Sequence, residues 1–263
     1  MKHTLPSHLV QGRIRIALAG AGGNGSQMLS GLARLHLALS ALGHPGLDVT
    51  VFDPDIVTPA NIGRQLFSPS DVDCYKADVL VNRINCFFNL AWKAQPTKYT
   101  RQSGGTHLLI GCVDSATARR ELMHARWEYW LDLGNMERKG QVVLGQKPKR
   151  IRSEAADTAR RMFNRKMTAK ERAEDAAWQK FQPLPTIMEL FPELKNKRRK
   201  VDNTPSCSLA EALEKQDLFI NQTVATFALQ LLWQFIRQGG LDIHGYFINL
   251  ESGRVSPLPI KAA

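Results

Sequence analysis

Short apolar stretches bounded by glycines recur along the first half of the chain. Residues 13–19, RIRIALA, have the pattern of a buried strand and run directly into GAGGNG at 20–25. Apolar residues then recur at helical spacing until GHPG at 43–46, after which residues 47–52 form a second strand pattern that ends at Asp53. The sequence therefore predicts a βαβ unit, in which a helix joins two parallel strands by a right-handed crossover.

Similar elements are predicted farther along the chain. They are a helix over about 76–91, a polar strand near Lys98, an apolar strand at 107–112, a helix opening at 114–119, and strands at 130–135 and 141–146. Near the C-terminus a long amphipathic helix ends at Gly239 and Gly240, and YFINL, ESGR and VSPLPI then predict a hairpin. We expect one α/β domain over 1–263, with a Rossmann-like, mostly parallel sheet and flanking helices.

The pattern changes between 147 and 205, which we interpret as a basic helical insertion or crossover segment. Strand signals stop, a polar helix is predicted over about 154–180, and KNKRRK follows at 195–200. Residues 147–200 hold sixteen Lys or Arg and seven Asp or Glu, so most of the chain's net charge of +11 lies here. Such a segment suits an acidic protein partner or nucleic acid, and a solvated helix surface explains the charge equally well.

Several classes of protein are disfavoured by composition. The longest apolar run, 223–236, contains two glutamines and is shorter than the ~20 residues of a membrane span. The N-terminus lacks the apolar core of a secretory signal, so we expect a cytoplasmic protein. The four cysteines form no C-x-x-C pair, and the histidines have no metal-ligand spacing, so we predict free thiols and no structural zinc.

The first βαβ unit carries the clearest candidate chemistry. Gly20, Gly22 and Gly25 form G-x-G-x-x-G between a strand and a helix, where backbone N–H groups and the helix dipole favour a phosphate. Asp53 ends the second strand and is placed to accept hydrogen bonds from a ribose, although a turn-forming Asp before Pro54 is an alternative. These features agree with either a dinucleotide or ATP.

Residues that follow Asp53 favour ATP. Asn61, Arg64 and Gln65 lie in a loop where a dehydrogenase has no use for them, and Lys76 follows at a predicted helix. A reaction that displaces pyrophosphate needs cations on the leaving group, and Arg64 and Lys76 can supply them. Asp114 ends the strand at 107–112 and can hold Mg²⁺, while its place before Ser-Ala-Thr-Ala also suits a helix N-cap.

The order of these motifs resembles one known superfamily. GAGGNG, then DPD, then Asn61 with Arg64 and Gln65, then Lys76, then CVDSATAR match the motifs of ThiF, MoeB and E1-like enzymes over about 12–146. Members adenylate the C-terminal glycine of a ubiquitin-like (β-grasp) protein with Mg-ATP. Within the superfamily the chain looks like the ThiF-related protein family of the bacterial PRTRC cassette, which also encodes a ubiquitin-like protein.

The resemblance implies roles for individual residues. It implies the nucleotide-binding set Gly20, Gly22, Gly23, Gly25, Asp53, Asp55, Asn61 and Gln65, the catalytic set Arg64, Lys76 and Asp114, and Mg²⁺ on Asp114. Cys207 lies where minimal single-chain E1-like enzymes carry their catalytic cysteine, which implies a thioester step. A buried thiol and a remnant of the zinc-cysteine region of other members are the alternatives. For Arg119 we favour a structural salt bridge. Homodimerisation is the family expectation.

Other functions share these features. Related proteins adenylate a carboxylate on a tRNA or on a small peptide, and the basic segment would suit RNA, although nucleic acid is not the favoured partner. A non-catalytic nucleotide-binding adaptor is a second alternative, against which stands the intact set of polar residues. Our leading hypothesis is ATP-dependent adenylation of a ubiquitin-like protein.

Overall fold

The computed structural model describes residues 2–147, 168–169, 183–196 and 216–260. The strands are β1 (His3–Thr4), β2 (Ile14–Ala19), β3 (Leu47–Phe52), β4 (Lys93–Gln95), β5 (Gly105–Gly111), β6 (Arg126–Asn135), β7 (Lys139–Gln146), β8 (Gly240–Leu241), β9 (Ile243–Asn249) and β10 (Arg254–Pro259). The α-helices are α1 (Ser7–Gln11), α2 (Gly23–Ala41), α3 (Lys76–Phe88), α4 (Ala116–His124), α5 (Ile187–Leu190) and α6 (Ile220–Gln238). The helix predicted over 154–180 and Cys207 lie outside the described residues.

Eight strands form the central sheet, in the order β10-β9-β7-β6-β5-β2-β3-β4. Strands β4, β3, β2, β5 and β6 are parallel, and β7, β9 and β10 continue the sheet in antiparallel fashion. The predicted Rossmann-like α/β fold is confirmed, as are the flanking helices and the C-terminal hairpin. The chain order reverses between β2 and β5, and parallel α/β sheets bind ligands outside the carboxyl ends of the strands at such a point.

Alternation along the strands divides the core into two layers. In β2, Ile14, Ile16 and Leu18 face α2, α3 and α6, whereas Ala17 and Ala19 face the layer that contains α4 and α5. Helices α2 and α6 approach closely at Gly31, where a Cβ would lie only 2.0 Å from Cδ1 of Leu229. The absence of a side chain on Gly31 permits this contact. The aliphatic side chains of these layers each contribute roughly 1.5–3 kcal/mol when fully buried.

Several boundaries differ from the sequence-based expectation, and two of the differences have a clear physical reason. The polar strand predicted near Lys98 is β4, Lys93–Gln95, which pairs with the end of β3 as the sheet's edge strand. A three-residue polar edge strand has no periodicity that could locate it. Helix α3 ends at Phe88 and not at 91, because Asn89 adopts the left-handed conformation (φ 52°) and closes the helix.

Part of the region predicted as an insertion belongs to the core. Within 183–196, Leu184, Ile187 and Met188 are buried, and Leu184 O accepts a hydrogen bond of 2.9 Å from Gln146 N. The segment therefore packs on β7 and α4 at one side of the sheet's carboxyl edge. In the described part of the chain, none of the helices is both long enough and apolar enough to cross a membrane.

Candidate active site

A cleft of about 720 Å³ opens at the carboxyl ends of β2 and β5, where the strand order reverses. It lies within the size range of ligand sites. Nine of the predicted site residues line it: Gly20, Gly22, Gly23, Asp53, Asp55, Arg64, Gln65, Lys76 and Asp114. The structure thus brings together residues that are up to 94 positions apart in the sequence, from Gly20 to Asp114.

The glycine turn at the start of α2 is tightly folded. Gly20 has φ 95°, and a Cβ there would lie 2.6 Å from the carbonyl oxygen of Cys112. A Cβ on Gly25 would lie 1.9 Å from the oxygen of Gly20, so Gly25 shapes the turn and does not line the cleft. Beside Gly22 the nearest atoms to a Cβ belong to Gln65 at 3.9 Å, which leaves room for a ligand at the helix N-terminus.

Asp53 fastens the glycine turn to the loop that follows β3. Its Oδ2 accepts a hydrogen bond of 2.6 Å from Ala21 N, and its Oδ1 accepts one of 2.8 Å from Asp55 N. Burial raises the pKa of this carboxyl, while the two amide donors and the charge of Lys76 oppose the rise. Each oxygen keeps a second lone pair, so the carboxylate can also accept a hydrogen bond from a ribose hydroxyl.

Lys76 reaches the cleft from the first turn of α3. It is 8% exposed, and its Nζ lies 3.4 Å from Oδ2 of Asp55. Its backbone N–H also donates to Asp55 O at 3.0 Å, so the second acid of DPD positions the lysine. The Asp55 side chain itself is 66% exposed, and water screens this pair.

Arg64 is half-buried and has no acidic partner. Its Nη1 donates to Oε1 of Gln216 at 2.5 Å, it forms no ion pair with any described residue, and its Nε has no hydrogen-bond partner there. Burial lowers the pKa of the guanidinium, because no nearby charge compensates for lost solvation. Gln65 is buried beside it with Oε1 also unpartnered. A charged donor in this state favours an anion in the cleft.

Asn61 does not line the cleft. Its Oδ1 accepts hydrogen bonds from the backbone N and the hydroxyl of Thr58, at 2.9 and 3.2 Å, and closes the turn Pro59–Asn61. Its carbonyl accepts from Gln65 N at 2.9 Å. In the structure, Asn61 shapes the loop that presents Arg64 and Gln65. Its place among the nucleotide-binding residues stays a prediction.

Ser115 takes the capping role that the sequence offered as an alternative for Asp114. The N-cap of α4 is Ser115, whose Oγ accepts a hydrogen bond of 3.1 Å from Ala118 N. The Asp114 side chain is exposed to the cleft and has no hydrogen bond or ion pair with described residues. A free carboxylate suits Mg²⁺ that arrives with phosphates, since Mg²⁺ takes one or two carboxylates besides water and phosphate oxygens. The described ranges contain no group of three or more potential metal ligands.

A family model for the ThiF family matches residues 10–254. The chain belongs to the ThiF family. Solved structures with the same fold include Escherichia coli MccB with ATP, at 13% identity and a TM-score of 0.55, which covers 97% of this chain and 67% of MccB. MccB with succinimide has 12% identity, a TM-score of 0.53 and coverage of 94% and 63%. PaaA has 17% identity, a TM-score of 0.54 and coverage of 97% and 74%.

These ThiF-fold neighbours are longer than this chain, which spans about 63% of the first MccB structure. No curated protein matches the chain significantly. At such low identity the structures support the fold, and residue roles in this ThiF-family chain rest on its own geometry.

The predicted structural role of Arg119 in the ThiF-family chain is confirmed. Its Nε donates to both oxygens of Asp132, at 3.0 and 3.1 Å, and both side chains are almost fully buried. Its Nη1 contacts the carbonyl of Asp114 at 3.5 Å, so the ion pair supports the loop that carries the free carboxylate.

Sequence reasoning missed a chain of amide side chains around the cleft. Asn24 Nδ2 donates to Asn135 Oδ1 at 3.0 Å, and Asn135 Nδ2 donates to Asn221 Oδ1 at 3.2 Å. Asn221 Nδ2 then donates to Gln216 Oε1 at 3.1 Å. The only local signal was Asn24 at the variable position of GAGGNG, because the other members come from β6, α6 and the turn before α6.

Part of the cleft lining is apolar. Phe52 and Tyr99 pack edge to face with ring centroids 4.9 Å apart, and Phe191 and Leu194 line the cleft from segment 183–196. Burial raises the pKa of Tyr99 to about 12, so its hydroxyl remains a donor to Gly104 O and Arg126 O. A planar apolar ligand group such as a base has a suitable surface here.

The described cysteines do not resemble nucleophiles. Burial raises the pKa of Cys112, whose Cβ packs near Gly20 and Gly25, so its thiol stays protonated. Cys74 and Cys86 are exposed and lie outside the cleft lining.

Proposed function

We propose that this ThiF-family protein uses Mg-ATP to convert a carboxylate into an acyl adenylate. The observation that carries the proposal is the charge pattern of one cleft. Among the described residues it holds a half-buried arginine without an acidic partner, a buried lysine and a carboxylate without a partner. A dinucleotide site has no need for this combination, because its pyrophosphate is only held. A reaction that expels pyrophosphate needs cations to spread the developing charge.

The cleft residues fit Mg-ATP on structural grounds. Gly22 leaves space at the N-terminus of α2, and the Arg64 guanidinium lines the cleft with a neutral acceptor. Among the described residues, the carboxylate of Asp114 has no partner. We assign the phosphates to the glycine turn, Arg64 and Lys76, the ribose to Asp53, and Mg²⁺ to Asp114. When bound, Mg-ATP would supply the adenylyl group and a Lewis acid.

The chain's own residues would act through charge and position. Arg64 and Lys76 would donate to phosphate oxygens as negative charge moves onto the leaving pyrophosphate, and their burial strengthens this interaction. The attacking carboxylate is already ionised, so no general base is required. Phe52 and Tyr99 would hold the base and exclude water from that side.

We further propose that the carboxylate is the C-terminus of a ubiquitin-like protein of the PRTRC type. This proposal is supported by the order of the motifs at 20–25, 53–55, 61–65, 76 and 114. Solved structures of MccB, a microcin C7 biosynthetic enzyme, include a complex with N-formylated MccA, so another substrate is the competing possibility. A cytoplasmic location, where ATP is present, and a homodimer belong to the same proposal.

ATP–pyrophosphate exchange tests this function. With the candidate ubiquitin-like protein present, the purified chain should exchange labelled pyrophosphate into ATP, and deletion of the partner's terminal glycine should abolish exchange. Absence of exchange while MgATP still binds would favour a non-catalytic adaptor. Exchange stimulated by a tRNA or a short peptide, and not by the ubiquitin-like protein, would replace the proposed substrate.

A thioester on Cys207 is the last part of the proposal, and it rests on the position of this residue between the basic segment and α6. Cys207→Ala should retain pyrophosphate exchange and lose a reductant-sensitive conjugate with the partner, measured by intact-protein mass spectrometry. Cys86→Ala is the matched control, because Cys86 is exposed and distant from the cleft lining. A conjugate that persists in Cys207→Ala would assign the thioester to another thiol.

A further inference from the structure

Gln216 occupies an unusual place beside the unpaired arginine. It accepts two hydrogen bonds through Oε1, from Arg64 Nη1 at 2.5 Å and from Asn221 Nδ2 at 3.1 Å. These two donors engage both lone pairs of the oxygen and therefore fix which end of the amide faces the guanidinium. The arginine is thus held by a neutral acceptor.

The neutral acceptor has an electrostatic consequence. A glutamate in the same position would form an ion pair with Arg64 and neutralise the charge that an anionic ligand would meet. An amide orients the guanidinium without neutralising its positive charge, and the Nε–H has no hydrogen-bond partner among the described residues. Burial makes this free charge costly in the absence of a ligand, which agrees with the lowered pKa of Arg64.

Gln216 is itself anchored on two sides. The next residue, Asp217, donates from its N–H to Glu137 O at 2.9 Å, which ties the turn before α6 to the β6–β7 turn. Asn221, 3% exposed on the first turn of α6, lies against Gly23, where a Cβ would be 2.5 Å from its Oδ1. Gly23 therefore lets the Asn221 amide pass next to the glycine turn.

We propose that Gln216 is a positioning residue that holds Arg64 oriented and unneutralised toward the phosphates, and that Asn221 fixes its orientation. This inference rests on the proposed function for the identity of the ligand. The amide chain from Asn24 through Asn135 and Asn221 to Gln216 then aligns the glycine turn and the arginine, the two phosphate-binding parts of the cleft.

The test compares charge variants by calorimetric binding of magnesium pyrophosphate, a probe that requires no adenylation. Gln216→Glu should weaken pyrophosphate binding by about tenfold or more, because a charge-assisted hydrogen bond is redirected to the new carboxylate. Its thermal midpoint should stay the same or rise, since the new ion pair is satisfied. Gln216→Ala should lose about two- to fivefold through misorientation alone.

Gln222→Glu is the matched control, because Gln222 is an exposed glutamine on α6, close to Gln216 in sequence, and does not line the cleft. It should bind pyrophosphate within about twofold of wild type. In an Arg64→Ala background, Gln216→Ala should have no further effect, since the guanidinium that Gln216 orients is gone.

Several results would overturn the inference: wild-type affinity in Gln216→Glu, an equal loss in Gln222→Glu, no binding of pyrophosphate by the wild type, or a Gln216→Ala effect that persists without Arg64. Exchange activity reports separately on the proposed function. If Gln216→Glu binds pyrophosphate weakly and the wild type shows no exchange, the positioning role of Gln216 is supported and adenylation is refuted. If Gln216→Glu binds pyrophosphate normally and the wild type exchanges, adenylation is supported and the positioning role is refuted.

Discussion

Two arginines face the same cleft, and they differ in the groups that accept their hydrogen bonds. Arg119 donates to both oxygens of buried Asp132, so its charge is compensated within the protein. Arg64 donates to the amide of Gln216 and keeps an unpartnered Nε. This difference separates a structural cation, whose charge is compensated by an acid of the protein, from the cation that we propose to bind the ligand, which is oriented but has no acidic partner among the described residues.

The largest loss of stability is expected when the buried Arg119–Asp132 ion pair is broken. Arg119→Ala leaves the fully buried Asp132 carboxylate without its partner, and we expect the free energy of unfolding to fall by about 3–5 kcal/mol in urea titrations. Adding Asp132→Asn should recover part of that loss, because the buried charge is removed. A stability change below that of an exposed pair such as Arg138–Glu251 would contradict the structural role.

Arg64→Ala should give the converse result. We expect pyrophosphate exchange to fall by about 100- to 1,000-fold, as when a donor to transition-state charge is removed, with stability unchanged or slightly higher. Arg138→Ala, which removes an exposed arginine outside the cleft lining, is the matched control. Full exchange by Arg64→Ala would return Arg64 to a structural role.

Asp114 and Ser115, at the start of α4, offer a second contrast between a residue proposed to serve the reaction and one that serves the fold. Asp114→Ala should lower exchange by about a hundredfold or more, since a Mg²⁺ ligand is lost, and leave the thermal midpoint unchanged. Excess Mg²⁺ should restore part of the activity. An Asp114→Ala protein with normal exchange at low Mg²⁺ would remove this carboxylate from the site.

Ser115→Ala has the smallest expected effect. It removes the N-cap bond to Ala118 N, so stability should fall by about 1 kcal/mol while exchange per folded molecule is retained. Chemical denaturation of Ser115→Ala and Asp114→Ala measures the difference between their free energies of unfolding. A larger stability loss in Asp114→Ala than in Ser115→Ala would show that the capping assignment is wrong.

The fold was predictable where signals are local. Strands β2 and β3 follow from apolar stretches that end at glycine or aspartate, and the glycine turn follows from its spacing. Strand β4 was placed several residues too late because its three residues are polar and owe their conformation to pairing with β3. The end of α3 depends on one asparagine that takes a left-handed conformation, which sequence spacing does not specify.

The site was predictable only in part, because several of its contacts join residues that are distant in the sequence. Arg64, Lys76 and Asp114 were identified by type and order, and the fold brings them to one cleft. The amide chain joins Asn24, Asn135, Gln216 and Asn221 from separate elements, so no local pattern contains it. Likewise, the division of labour between Asp114 and Ser115 depends on where α4 begins, a boundary that sequence patterns leave open by several residues.

The most direct test of the uncompensated arginine is a crystal structure of the protein with Mg²⁺ and a non-hydrolysable ATP analogue. We predict a phosphate oxygen within about 3 Å of the Arg64 guanidinium, Gln216 still accepting from Nη1, and the Asp114 carboxylate on the metal. A triphosphate bound away from Arg64, or a guanidinium that turns to an acidic side chain when the nucleotide binds, would contradict the account.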